Sequence, residues 1–161
     1  MRWTAQTPED TEAFGAELAR TRPQDKGLVV VDLAGDLGAG KTTLARGFLR
    51  GSGVPGLVRS PTYTLVEAYT VDATTFLHLD LYRLTEPSEL ENLGLRDWAT
   101  AGYLWLVEWP ERGAGRLPPS DLAVTLTMQD QGHLLEVSAR SAVGRDWMVR
   151  IAAVVKRTPQ S

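Results

Sequence analysis

The 161-residue sequence predicts a three-layer α/β fold in which a mostly parallel sheet carries an antiparallel β-hairpin extension. Three observations predict it. Gly35-Asp36-Leu37-Gly38-Ala39-Gly40-Lys41-Thr42 matches G-x-x-x-x-G-K-[ST] at every fixed position, between a β-branched run at 28–33 and a helical stretch at 41–50. Two later apolar runs, 76–80 and 104–108, each finish on an acid, as expected of strands at the edge where an open α/β sheet collects its ligands. Segments 122–127 and 134–139 alternate and are joined through Asp130-Gln131-Gly132, which is hairpin grammar.

The elements follow in order. Residues 2–5 fit a short edge strand, and Thr7-Pro8-Glu9-Asp10 has the form of a helix start, with a capping hydroxyl, proline at the first helical position and acids in the first turn. Phe14 and Leu18, with Ala13 and Ala16, give this helix an apolar side to about residue 22; Thr11 reads by pattern as an exposed helix position. A polar loop at 23–27 leads into the first core strand, and the helix after the glycine loop ends at Gly51-Ser52-Gly53. Backbone N–H groups of such a loop and the positive helix end converge on phosphate, Lys41 reaches the β- and γ-phosphates, and the Thr42 hydroxyl ligates Mg²⁺.

Residues 58–65 are dense in hydroxyls, are broken by Pro61 and lead into a strand at 64–69. Ser60, Thr62 and Thr64 either satisfy a turn and a strand start or belong to a loop that senses the γ-phosphate. Asp80, ending the strand at 76–80, is a Walker-B candidate, and Glu108 is a second acid at the same edge. One carboxylate would complete a Mg²⁺ shell while the other orients an attacking water. His78 reads as a packing histidine or a base, Arg83 as a partner of phosphate or of a carboxylate, and Trp109 as packing or as a cover over the nucleotide. Two short helices, 87–92 and 95–100, split by Gly94, form the crossover, and 113–120 is a loop. A terminal helix at about 145–157 spaces Trp147, Ile151 and Val154 for one buried face.

Composition narrows the function. With 17 Lys+Arg against 20 Asp+Glu, the net charge of −3 gives no broad electrostatic footprint for nucleic acid. The absence of Cys excludes disulfides and thiol catalysis, and His78 and His133 leave little for zinc. Residues 1–11 lack the basic and apolar blocks of a signal peptide, and no apolar run approaches the roughly 18 residues of a membrane span, so the expected location is the cytoplasm and no membrane partner is expected. No linker or repeat divides the chain, and 1–161 reads as a single P-loop domain.

Four motifs in the same order, GDLGAGKTT at 35–43, SPTYTLVE at 60–67, HLDLYRL at 78–84 and LVEWPE at 106–111, closely resemble the TsaE family of bacterial ATPases that serve N6-threonylcarbamoyladenosine formation in tRNA. The likeness covers about residues 11–126. It implies a P-loop NTPase-like fold, slow and partner-stimulated ATP hydrolysis with Mg²⁺, and work inside an assembly. There a threonylcarbamoyl-transferase subunit and its inactive paralogue are the partners, tRNA is met only indirectly, and hydrolysis resets the complex. Carried over by position, the resemblance implies that Gly38, Ala39, Gly40, Lys41, Thr42 and Thr43 contact the phosphates. Thr42, Glu108 and Asp80 then serve Mg²⁺, Lys41, Glu108 and Asp80 are the catalytic set, and Ser60 and Thr62 form a switch. Thr11 approaches the base side of the nucleotide, and Trp109 becomes a site residue.

Two other readings stay open on the sequence. A small-molecule kinase shares such a core but needs an acceptor pocket and a mobile arginine lid, for which Arg112 and Arg116 are the available residues. A nucleotide-binding scaffold without turnover would need only the loop.

Overall fold

The computed structural model describes residues 1–24 and 27–155. Residues 25–26 of the expected 23–27 loop and residues 156–157 of the expected terminal helix lie outside the described residues. Seven strands form one sheet: β1 (Arg2–Ala5), β2 (Val29–Ala34), β3 (Val66–Val71), β4 (Thr74–Asp80), β5 (Tyr103–Glu108), β6 (Leu122–Met128) and β7 (His133–Ala139). Their order across the sheet is β1-β7-β6-β2-β5-β4-β3. The four central strands β6, β2, β5 and β4 run parallel; the expected hairpin β6–β7 is antiparallel and β1 extends it, while β3 closes the other edge antiparallel to β4.

Strand alternation sorts the side chains into two cores, one per face, because successive residues point to opposite sides. Val29, Val31, Leu33, Phe76, Leu104 and Leu106 join the core beneath the helices α1 (Pro8–Arg20), α2 (Lys41–Gly51) and α3 (Ala142–Val155). Val30, Leu77, Leu79, Trp105 and Val107 join the opposite core, covered by Leu81, Leu84, Leu90 and Leu95. There the crossover expected as two short helices is built from 3₁₀ turns, Pro87–Leu93 and Leu95–Trp98, divided by Gly94 at φ 68°. Helices, sheet and 3₁₀ turns are the three layers.

The helix starts follow local chemistry. At α1 the Thr7 hydroxyl accepts from the Asp10 N–H at 3.2 Å and the Asp10 carboxylate accepts from the Thr7 N–H at 3.0 Å, a reciprocal capping box. Glycines then let α1 and α2 cross backbone to backbone: a Cβ on Gly47 would stand 2.1 Å from the Glu12 carbonyl oxygen, and one on Gly15 2.3 Å from that of Leu44. α3 begins three residues before the expected start, its first turn held by the Ser141 hydroxyl accepting from the Gly144 N–H at 3.0 Å. Trp147 and Ile151 are buried as expected and Val154 is half-buried. The Trp147 Nε1 donates to the Leu18 carbonyl and the Thr21 hydroxyl, each at 3.2 Å, which ties α3 to the end of α1. Among the described residues no helix is long and apolar enough to cross a membrane.

Candidate functional site

β2 ends at Ala34 and the chain turns through the glycine loop into α2. Gly35 takes φ 145° and packs so closely on β6 that a Cβ would lie 2.4 Å from the Leu126 carbonyl oxygen. Gly40 takes φ 99° as the N-cap of α2 and brings no side-chain hydrogen bond to the first turn. The first helical N–H groups are thus left to face the loop, the usual arrangement for an anion at a helix start. Lys41 is 4% exposed and folds back over this loop, its Nζ donating to the carbonyls of Gly35 at 2.6 Å and Asp36 at 2.8 Å. Burial pulls its ammonium below the usual lysine value, while Glu108, Asp80, Glu111 and Asp36 act in the opposite direction.

Parallel pairing supplies the acids. β4 and β5 are in register with Asp80 opposite Glu108, so both strands end level. Both carboxylates share the α2 side of the sheet with Phe76 and Leu104, each four residues back along its own strand. The Thr42 hydroxyl donates to Glu108 Oε1 at 2.8 Å, and the buried His78 Nε2 lies 2.6 Å from Glu108 Oε2. Asp80 accepts from the Tyr82 N–H at 3.0 Å and from the Thr62 hydroxyl at 3.3 Å; Thr62 in turn shares a 2.7 Å hydrogen bond with Ser60. A cleft of about 330 Å³ lies among these groups. Its walls include Gly38, Gly40, Lys41, Thr42, Thr43, Ser60, Thr62, Asp80, Glu108 and Trp109, with Leu37 and Tyr82 beside them.

Two of the expected residues stand apart from that wall. Ala39 is buried under the loop, and Thr11 is 1% exposed, not the surface position its pattern suggested. The Thr11 methyl lies 3.8 Å from where a Cβ on Gly40 would stand, and its hydroxyl is buried without a hydrogen-bond partner among the described residues. Trp109 adopts φ 57°, a left-handed conformation that costs a non-glycine residue about 1–3 kcal/mol. Its ring meets the Lys41 ammonium at 4.1 Å, the Tyr82 ring at 5.1 Å and the Arg112 guanidinium at 5.3 Å. Among the described residues Arg83 makes no ion pair with a carboxylate; its guanidinium stands 4.3 Å over the Tyr63 ring.

Sequence reasoning missed the aromatic cluster of Tyr82, Trp109 and Arg112 and the contact of His78 with Glu108. The second had a visible signal: His78 shares strand parity with Asp80, so it had to face the same side of the sheet. The first had none, because the turn at Trp109 is a tertiary outcome.

The donor set suits a hard divalent cation. One hydroxyl and two carboxylates are all oxygen, the hard donors Mg²⁺ takes from a protein when substrate phosphates and water complete its shell. Among the described residues no group of three or more His, Cys, Asp or Glu is arranged to hold a metal by itself.

Residues 5–136 match the family model described as threonylcarbamoyl adenosine biosynthesis protein TsaE. The tRNA threonylcarbamoyladenosine biosynthesis protein TsaE of Haemophilus influenzae is 47% identical over 118 residues, covering 73% of this chain and 75% of that protein. The protein of the same name from Bacillus subtilis is 35% identical over 127 residues, 78% of this chain and 77% of its own. Among solved structures, the crystal structure of Bacillus subtilis YdiB superposes with a TM-score of 0.78 at 26% identity, covering 96% of this chain and 95% of that one.

Proposed function

The chain belongs to the family of threonylcarbamoyl adenosine biosynthesis protein TsaE, and from that premise we propose that it is the ATP-hydrolysing subunit in the formation of N6-threonylcarbamoyladenosine in tRNA. The observation that carries the hydrolase reading is the Thr42–Glu108 hydrogen bond at the foot of the glycine loop, with Asp80 level beside it. A binding loop alone would need neither acid.

In this reading the N–H groups of residues 38–43 hold the phosphates and Lys41 swings from the Gly35 and Asp36 carbonyls to the β- and γ-phosphates. Thr42, Glu108 and Asp80 are the residues that would hold Mg²⁺, whose charge offsets what develops on the transferred phosphoryl group. A carboxylate of this pair orients the attacking water. Ser60 and Thr62, already hydrogen-bonded to each other, with Thr62 also donating to Asp80, sense the γ-phosphate and convert its loss into a change of the 58–65 loop. Thr11 sets the base side from behind Gly40, and Trp109 covers the cleft. The readers of that change are a threonylcarbamoyl-transferase subunit and its inactive paralogue; the net charge of −3 agrees with tRNA being met through them.

The kinase alternative loses ground to two contacts. Arg116 is engaged with Glu91, and Arg112 stacks on Tyr82 and Trp109, so neither stands on a free lid. Purified protein with Mg-ATP separates the readings: phosphate released without acceptor supports the hydrolase, ADP formed only with an acceptor supports a kinase, and tight binding without either supports a scaffold. Cell extracts depleted of the protein should stop making the modified adenosine after a few turnovers. Unchanged modification would remove the assignment to tRNA.

A further inference from the structure

His78 is wholly buried in β4, and no step proposed so far uses it. Its Nε2 lies 2.6 Å from Glu108 Oε2, whereas its Nδ1 is enclosed without a hydrogen-bond partner among the described residues. Assigned from that network, the ring is the Nε2–H tautomer. In this form the carboxylate receives a proper donor and the enclosed orphan is a lone pair; the other tautomer would bury an unpaired N–H at Nδ1 and set the Nε2 lone pair against the Glu108 carboxylate.

The consequence falls on Glu108. Its Oε1 accepts from Thr42 on α2 and its Oε2 from His78 on β4, so two rigid elements clamp one carboxylate from opposite sides. Register explains the reach: His78 pairs with Leu106 and Asp80 with Glu108, which places His78 diagonally behind Glu108 on the same face. A carboxylate with one oxygen so engaged presents the other in a fixed direction. An apolar side chain of similar size would fill the same space without orphaning a nitrogen.

We propose that His78 is a positioning residue, holding Glu108 Oε2 so that Oε1 faces Thr42 and the Mg-nucleotide side of the cleft. This rests on the hydrolase reading above, and it parallels the way buried partners orient metal-binding carboxylates elsewhere. His78 itself touches neither substrate nor ion.

The test compares His78→Leu, which removes the donor, with His78→Gln, whose amide NH₂ has a similar reach. His78→Leu should lower kcat for ATP by about 10- to 100-fold. KM should hold within about twofold, because the phosphate-binding loop is untouched. Mn²⁺ binding with a non-hydrolysable ATP analogue, followed by electron paramagnetic resonance, should weaken by about tenfold or more in the Leu variant. His78→Gln should recover most of both losses. Nitrogen NMR of the ligand-free parent should show a protonated Nε2 and a bare Nδ1.

A folded Leu variant with parental kcat and Mn²⁺ affinity would overturn the proposal, as would an Nδ1–H tautomer. So would losses in both variants that follow only their melting temperatures. If the Leu variant does not fold, failure of the Gln variant to keep kcat and Mn²⁺ affinity refutes the clamp. If the parent hydrolyses no ATP with or without partners, the hydrolase reading fails, and the Mn²⁺ and NMR results still decide the role of His78.

Discussion

Lys41 and Glu108 are both buried at the cleft, yet their loss should register in different assays. On the proposed function, Lys41→Ala removes the cation assigned to the phosphates, so ATP affinity should fall by about tenfold or more in a calorimetric titration. Glu108→Ala should leave ATP bound while phosphate release slows by about 100-fold or more. Equal hydrolysis by that variant and the parent would remove Glu108 from the mechanism. Asp32 offers a test of burial alone. It sits half-buried in β2, where desolvation raises its pKa above the ordinary 3.8, with Glu111 adding to the rise and Ser120 and Arg140 opposing it. The native state therefore binds the Asp32 proton more tightly than the unfolded chain does. Stability is lost as pH climbs from about 3.8 through the native value, and the loss is complete above it. Asp32→Asn should accordingly raise the denaturation midpoint near neutrality, and the gain should vanish below about pH 3.8.

At the scale of elements, the α1–α2 crossing is the feature least tolerant of change. Gly47→Ala must move the Glu12 carbonyl, which is backbone and cannot rotate away, so the helices separate. A cost of about 3 kcal/mol or more in chemical denaturation is expected, at the upper end of overpacking. Thr7→Ala breaks only the capping box and should cost about 1 kcal/mol. Both changes lie outside the cleft wall. Comparing their effects on ATP binding shows whether the loop depends on helix spacing or only on global stability.

Across the whole molecule, α3 belongs to the same core as the phosphate loop although the family match stops at residue 136. Trp147→Ala should cost about 3–5 kcal/mol, read as a large drop in melting temperature, because a fully buried indole with two hydrogen bonds is lost. Much of this architecture was legible in advance. Thr7-Pro8 marked the start of α1, the glycine loop marked the β2–α2 junction, and the strands ending in Asp80 and Glu108 marked the edge at which the cleft opens. What stayed hidden depended on contacts distant in the chain. The pattern of α1 made Thr11 an exposed position, but the arrival of Gly40 buries it. Arg83 had phosphate and carboxylate as evident partners, and only the folded 58–65 segment brings Tyr63 beneath it. Trp109 offered no local hint of a positive φ, since the turn there is imposed by its neighbours.

The level ending of β4 and β5 also bears on how this gene can change length. Because Asp80, His78 and Glu108 face α2 by strand parity, one codon inserted or deleted within either strand would turn every later side chain of that strand to the opposite core. Chain length between the strands carries no such constraint. Insertions in the exposed 3₁₀ crossover between β4 and β5 leave both parities intact. Length variation should therefore be survivable in the connections and lethal to the site in the strands, a contrast that a library of single-codon insertions selected for ATP hydrolysis would display directly.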